Sequence, residues 1–361
     1  MKILHITSRA DQGGGPEHVY QLVKGLEGLG EKCFIACPND KPYQGRFAGV
    51  VGMENMLDIP HRKFSPLAFI SLLKFIRRNK FNVLHSHGKG AGTYSRLLRL
   101  VSGVKVVHTF HGFHIGEYAR FSKFLYLLYE RASSLLTSQF IFVSKGEAAA
   151  IVSETGVANN KANVIYNGVQ ISNESKLVAG RGKFSIVAVS RYDFQKNTEE
   201  LIEALNILKN KGLKPGVTIL GDGEGADSIK ASCLEYGLDN VVLEGNVSNP
   251  RSYFQNASLF VNTSRWEGLP IAPIEAMAEG VPCVLSEVVG NAEVVSDLVD
   301  GYFYPSGNPE ELANIIKDLM EDTTRLLIAG RAAKDKANTL FSVDKMVRET
   351  VKIYQALEGE K

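Results

Sequence analysis

Phe184-Ser-Ile-Val-Ala-Val189 is a short apolar, β-branched run; Ser190-Arg-Tyr-Asp-Phe-Gln-Lys-Asn197 follows as a polar turn, and Thr198 to Lys209 then shows helical period. A chain that repeats this strand-turn-helix unit builds a parallel sheet, because each helix carries the chain back to the edge where the next strand starts. The pattern continues through Val217-Thr-Ile-Leu220, Val241-Val-Leu243, Leu259-Phe-Val-Asn262 and Pro282-Cys-Val-Leu285. An earlier series runs from Lys2-Ile-Leu-His-Ile-Thr7 through Cys33-Phe-Ile-Ala-Cys37, Val83-Leu-His-Ser86, Lys105-Val-Val-His-Thr-Phe110 and Phe140-Ile-Phe-Val143 to Asn163-Val-Ile-Tyr166. Each series can close its own doubly wound sheet, so the expected fold is α/β, with two Rossmann-like domains facing a central cleft.

Residues 1–168 make the first domain. Residues 169–182, with Asn173-Glu-Ser-Lys176 and Gly180-Arg-Gly182, have no strong period and read as a linker; residues 183–340 make the second domain. Residues 341–361 form a C-terminal helix whose apolar positions Val343, Met346, Val347, Val351, Ile353 and Tyr354 make it amphipathic and able to cross back to the first domain.

The 361 residues, 44% hydrophobic and 22% charged, exclude a disordered tail and can bury a full core. The net charge of +2 hides a division: residues 1–165 hold 21 basic and 11 acidic residues, the rest 20 and 28. A +10 half and a −8 half face different partners. Cys33, Cys37, Cys233 and Cys283 lie in apolar, strand-like runs at neither disulfide nor metal spacing, which reads as reduced core thiols. No apolar stretch approaches the roughly 20 residues that span a bilayer, so any membrane contact is peripheral.

Four segments carry candidate chemistry. Asp11-Gln-Gly-Gly-Gly-Pro16 follows the first strand and opens a helix, where Gly14 and Gly15 let a ligand approach the backbone and Pro16 suits the first helical position. The spacing is not the Gly-x-Gly-x-x-Gly that a nicotinamide site would use. His85, His87, His108, His111 and His114 cluster around two strands, with His111 just beyond a strand end beside Gly112. Histidines at i, i+3 and i+6 in a turn fit no common zinc template, so no metal is assigned, and His5 reads as a satisfied core residue. Arg191 and Lys196 share one loop at a helix start, as a diphosphate site would want. Glu267-Gly-Leu-Pro-Ile-Ala-Pro-Ile-Glu275 places two acceptors around a row of amides at a strand end, able to hold hydroxyls and phosphate together. Gly221-Asp-Gly223-Glu-Gly225 reads as a further close-approach turn.

Together with Gly13–Gly15, His111-Gly112, Val143-Ser144, Val164-Ile-Tyr-Asn-Gly168 and Gly245-Asn-Val-Ser248, these motifs resemble the retaining glycosyltransferases of family 4, which have the two-domain GT-B fold. The last glutamate pair is similar to that family's E-x7-E motif, and His108-Thr-Phe-His-Gly-Phe-His114 to members that build bacterial surface polysaccharides. The resemblance implies a nucleotide-sugar donor, UDP-linked hexose or N-acetylhexosamine, and no other cofactor. It implies that Arg191 and Lys196 bind the diphosphate, that Glu275 holds the ribose hydroxyls, and that Val247 lies by the base. Glu267, with the amides near Leu269, Pro270 and Ile271, would hold the donor sugar; His111 would contact the sugar being transferred; Gly14 and Gly15 would admit the phosphates. Many members have Phe-Gly where this chain has Leu269-Pro270. No Asp-x-Asp pair is present to hold a metal, so transfer without metal is expected.

The acceptor expected from the resemblance is a saccharide, lipid-linked or otherwise, met at the inner face of the plasma membrane. Two basic amphipathic stretches, His61 to Lys80 and Ala119 to Arg131, suit an anionic membrane surface. No nucleic-acid partner is expected. The rival readings are a nucleotide-sugar epimerase of similar fold and a transferase acting on a soluble small molecule.

Overall fold

A computed structural model describes residues 1–112, 120–171 and 184–359. The chain divides into two compact units, Met1–Gly168 with Val343–Lys361, and Val169–Ser342.

In the first unit, β1 (Lys2–Thr7), β2 (Lys32–Cys37), β3 (Met56–Asp58), β4 (Val83–His87), β5 (Lys105–Thr109), β6 (Gln139–Phe142) and β7 (Ala162–Val164) form one parallel sheet in the order β3-β2-β1-β4-β5-β6-β7. Strand β4 is buried throughout and β1 everywhere but Lys2, as expected of inner strands covered by helices on both faces. Helix Gly14–Gly28 lays Val19, Leu22, Val23 and Leu26 into the core, and helix Val343–Gly359 joins the same cluster through Met346, Val347, Ile353 and Tyr354. A Cβ on Gly25 would stand 2.5 Å from a Val347 methyl carbon, so a small residue there lets these two helices pack closely.

In the second unit, β8 (Ser185–Val189), β9 (Gly216–Leu220), β10 (Val241–Gly245), β11 (Leu259–Asn262), β12 (Cys283–Ser286) and β13 (Gly301–Tyr304) pair in parallel in the order β10-β9-β8-β11-β12-β13. Helices Thr198–Asn210 and Pro309–Glu321 supply Leu201, Leu205, Leu208, Leu312 and Ile316 to its core.

Strands β3 and β13 are additions to the sequence reading: Met56-Leu-Asp58 and Gly301-Tyr-Phe-Tyr304 lack the β-branched residues that mark the other strands. Val169 is bonded rather than linking, since its N–H donates to the Phe341 carbonyl at 2.8 Å within the second unit. The remainder of the expected linker, from residue 172, lies outside the described residues. Cys233 sits in helix Ala226–Glu235, not on a strand, while Cys33, Cys37 and Cys283 are buried strand residues; all four are free thiols.

Each sheet reverses its winding once, between β1 and β4 in the first unit and between β8 and β11 in the second. Loops leaving such a pair of strands diverge and open a crevice at the carboxyl edge.

Candidate active site

In the second unit the loops after β8 and β11 meet. Lys196 Nζ lies 2.5 Å from Glu267 Oε1, and the Ser264 hydroxyl donates to the same oxygen at 2.7 Å. The Glu267 side chain is 8% exposed and that of Lys196 21%. Both loops are fixed from below. Asp193 accepts the Lys196 N–H at 3.0 Å, and Thr263 Oγ1 donates to the Lys196 and Asn197 carbonyls at 3.0 and 2.9 Å. Asn197 takes the left-handed conformation, φ 50°, that ends the loop and caps helix Thr198–Asn210. Asparagine tolerates it better than most residues.

Behind Glu267 is a buried polar network that the sequence reading missed. Ser286 Oγ donates to the Ser264 carbonyl at 2.6 Å, Asn262 Nδ2 to Ser264 Oγ at 3.1 Å, and Asn291 Nδ2 to the Ser286 carbonyl at 2.9 Å. These bonds aim the hydroxyl that holds Glu267. Gly290 completes the support, because a Cβ there would stand 2.5 Å from the Glu267 carbonyl oxygen and 2.7 Å from that of Gly268. A lone glycine beyond β12 carries no motif, so only its three-dimensional neighbour reveals it.

Arg191 leaves the same loop with its side chain 47% exposed, held by Asp193 and by Gln195, to whose Oε1 it donates at 3.1 Å. The Gly221–Gly225 turn approaches backbone rather than open space: a Cβ on Gly221, whose φ is 130°, would lie 2.0 Å from the Ser190 carbonyl oxygen, and one on Gly223 2.8 Å from Tyr192. These glycines therefore shape the Arg191 loop. Val247 stands two residues beyond β10 and is half-buried. Helix Ile271–Ala278 starts after Pro270, with Leu269 and Ile271 buried and Glu275 half-buried one turn in. Proline has no N–H, so Pro270 itself brings no donor and the amides of that turn come from its neighbours.

In the first unit, helix Gly14–Gly28 starts at Gly14, which puts Pro16 third in the helix instead of first. Nothing stands within 4 Å of where a Cβ on Gly15 would lie. Arg9, unnoticed in the sequence, pairs with Asp11 through Nε at 2.7 Å and donates to the Gln12 carbonyl at 3.1 Å, bracing this loop. His111 faces His87, Nε2 to Nδ1 at 3.4 Å, and its ring stands edge-on to His18 at 4.6 Å. Burial first, then His18 and Arg9, hold its imidazole well below the usual histidine range, so it is neutral at pH 7. The Gly112 N–H donates to Glu147 at 2.7 Å and fixes the turn after His111. His114 lies outside the described residues. His5 is the buried core residue expected but is only half satisfied: its Nδ1 lies 3.1 Å from His87 Nε2, and its Nε2 has no partner among the described residues.

Thus Lys196 and Glu267 are in contact and Arg191 shares the Lys196 loop, while His111 and Gly14–Gly15 lie at the switch point of the other unit. Residues 12–173 match the model of the family described as Glycosyltransferase Family 4, and residues 170–336 that described as Glycosyl transferases group 1. The chain is a family 4-like glycosyltransferase. The glycosyltransferase is 27% identical over 307 residues to the Escherichia coli UDP-Gal:alpha-D-GlcNAc-diphosphoundecaprenol alpha-1,3-galactosyltransferase, covering 80% of this chain and 78% of that one. It is 25% identical over 339 residues to the Staphylococcus aureus capsular polysaccharide biosynthesis glycosyltransferase CapM, covering 89% and 88%. Among solved structures, Anabaena Alr3699/HepE in complex with UDP and glucose superposes with a TM-score of 0.84 at 19% identity, covering 99% of this chain and all of that one, a likeness of GT-B fold. The epimerase reading is not favoured by these matches.

Proposed function

We propose that this glycosyltransferase retains anomeric configuration and moves a hexose or N-acetylhexosamine from a UDP-linked donor to a lipid-linked saccharide during assembly of a cell-surface polysaccharide. The observation that carries this reading is the Lys196–Glu267 contact at a strand-end switch point. A cation and an acceptor side by side suit a sugar joined to a diphosphate. Lys196 and Arg191 neutralise the departing diphosphate, Glu267 and the amides entering helix Ile271–Ala278 hold the sugar, Glu275 takes the ribose hydroxyls, and Val247 lies by the base. Gly14 and Gly15 admit the phosphates, and His111, neutral and half-buried, contacts the transferred sugar. The acceptor hydroxyl attacks the face that the diphosphate leaves, so no enzyme nucleophile is required, and positioning with charge stabilisation supplies the rate. The two cations replace a divalent metal in this scheme. The E. coli relative, named for transfer from UDP-Gal to a GlcNAc-diphosphoundecaprenol, and the UDP and glucose held by the Anabaena protein support the donor and acceptor classes.

A membrane-bound acceptor needs a docking face, and helix Arg120–Ser133 offers one. Tyr129 at 3.0 Å from Thr93, and Glu130 paired with Arg96 at 2.9 Å, tie one side of it down. The opposite stripe, Phe121, Phe124, Leu125 and Leu128 at i, i+3, i+4 and i+7, is exposed, with Phe121 at 72%, and Arg120, Lys123 and Arg131 belong to the same helix. Helix Pro66–Asn79 instead buries Ala68, Leu72, Phe75 and Ile76, so only part of its apolar surface is available. No helix among the described residues is long and apolar enough to cross a membrane.

The test is the stereochemistry of the product formed from UDP-glucose, UDP-galactose or UDP-N-acetylglucosamine with a lipid extract as acceptor, in the presence of a chelator. An α-linked product is expected; a β-linked product, or activity that returns only with Mg2+ or Mn2+, would overturn the proposed reaction.

A further inference from the structure

Three histidines from different elements converge where sequence spacing gave no metal template. His18 comes from the second turn of helix Gly14–Gly28, His87 from the end of β4, and His111 from just past β5. One ring nitrogen from each lies within 4.8 Å of the other two. His87 Nδ1 and His111 Nε2 are 3.4 Å apart. Two imidazoles on one tetrahedral zinc, with Zn–N of about 2.0–2.1 Å, hold their nitrogens about 3.3 Å apart.

The His18 tautomer is set for metal binding, and that of His87 allows it. Asn167 Oδ1 can only accept, so at 2.9 Å it fixes the proton of His18 on Nδ1. That leaves a lone pair on Nε2, an atom with no partner among the described residues in a side chain 2% exposed. His87 has His5 Nδ1 at 3.1 Å from its Nε2, so Nδ1 can face an ion while Nε2–H donates to His5. Ligating histidines generally carry such an outer partner on the other nitrogen, and here two of the three have one. His111 is half-buried, which leaves an approach for the ion and a position for water. Two other groupings of potential ligands are already spent: in His5, His85 and His87 both His85 nitrogens are bonded, Nδ1 to Tyr354 at 2.5 Å and Nε2 to Thr109 at 2.7 Å, and in Asp11, Asp40 and His61 Asp11 pairs with Arg9 at 2.7 Å while His61 is bonded to Asp40 at 2.5 Å.

We propose that His18, His87 and His111 form an inhibitory site for a borderline transition-metal cation, of which zinc is the type. Occupancy takes the His111 lone pair and places two positive charges beside the Gly14–Gly15 loop. Binding rests on geometry alone; inhibition also rests on the role of His111 in transfer.

The experiment measures Co2+ and Zn2+ held per full-length chain by equilibrium dialysis, with the visible spectrum of Co2+ reporting tetrahedral nitrogen ligation. One ion per chain is expected, with affinity lowered at least tenfold in His18→Gln and about 10–100-fold in Asn167→Ala, which removes the outer partner of His18 and leaves all three ligands in place. His61→Ala should bind like the wild type. Failure to bind stoichiometrically, binding that survives both His18→Gln and Asn167→Ala, or equal loss in His61→Ala would overturn the site. Should His18→Gln not fold, Asn167→Ala decides. Zn2+ should also block nucleotide release with the same concentration dependence as binding; stoichiometric binding without inhibition would keep the site and overturn the role of His111.

Discussion

Replacing Lys196 by Met removes one partner of a mostly buried ion pair and separates structure from chemistry. Breaking a fully buried pair costs about 3–5 kcal/mol because the remaining charge is left uncompensated. Glu267 keeps the Ser264 hydroxyl at 2.7 Å, and Lys196 is 21% exposed, so we set the cost at about 2–3 kcal/mol. For a unit of this size that lowers Tm by about 5–10 °C. Turnover should fall by about 10²–10³-fold, the usual loss when a group that stabilises developing charge is removed. Adding Glu267→Gln to Lys196→Met removes the orphaned carboxylate, so most of the lost Tm should return while turnover stays low. Calorimetry and nucleotide release on the two single variants and the double variant complete the cycle. Near-normal turnover in Lys196→Met, or turnover that returns with Tm in the double variant, would refute the chemical role and leave the pair purely structural.

Gly290→Ala should cost about 1–3 kcal/mol and at least tenfold in turnover, since its Cβ would push 2.5 Å into the Glu267 carbonyl; unchanged thermal unfolding and turnover would contradict this. Gly15→Ala should fold as stably as the parent, its Cβ meeting nothing within 4 Å, yet lose turnover if phosphates approach there; activity at the parental level removes Gly15 from the site. Burial pushes His5 down to about 3 and His18 to about 4 from 6.5, so both stay neutral in the fold where the unfolded chain takes up protons. In chelator-containing buffer, stability is full above pH 6.5 and should fall by about 3 kcal/mol per pH unit between 6.5 and 4 from these two groups; denaturant melts showing a flat profile would exclude this. Phe121→Ser with Phe124→Ser should weaken binding to phosphatidylglycerol vesicles at low salt at least tenfold without altering Tm; equal binding would move the docking face elsewhere.

The two parallel sheets were legible because short apolar runs alternate with helical segments; β8 and β11 have that form throughout most of their length, and β1 and β4 carry Ile3-Leu4 and Val83-Leu84 before their histidines. Strands β3 and β13 were not, since Met56-Leu-Asp58 and Gly301-Tyr-Phe-Tyr304 contain no β-branched residue to mark them. The Lys196 loop and the Glu267 turn could be placed at strand ends from sequence, since both are punctuated by polar and glycine residues that enter helices. Their 2.5 Å contact could not, because it depends on β11 pairing with β8 across the reversal of strand order. The same limit hid the histidines. His18 lies in an ordinary helical stretch, and only the adjacency of β1, β4 and β5 brings it to His87 and His111. Gly290 and the Asn262–Ser264–Ser286–Asn291 network were invisible for a related reason: single small or polar residues acquire meaning only from the backbone they support.

The most direct measurement is UDP or GDP release by the purified protein over a panel of nucleotide sugars, with and without a bacterial lipid extract. Release of UDP that depends on the extract, carries sugar onto a lipid product, and is lost in Lys196→Met is the predicted result. Acceptor-independent isomerisation of the donor, or equal release from Lys196→Met, would contradict transfer at this site.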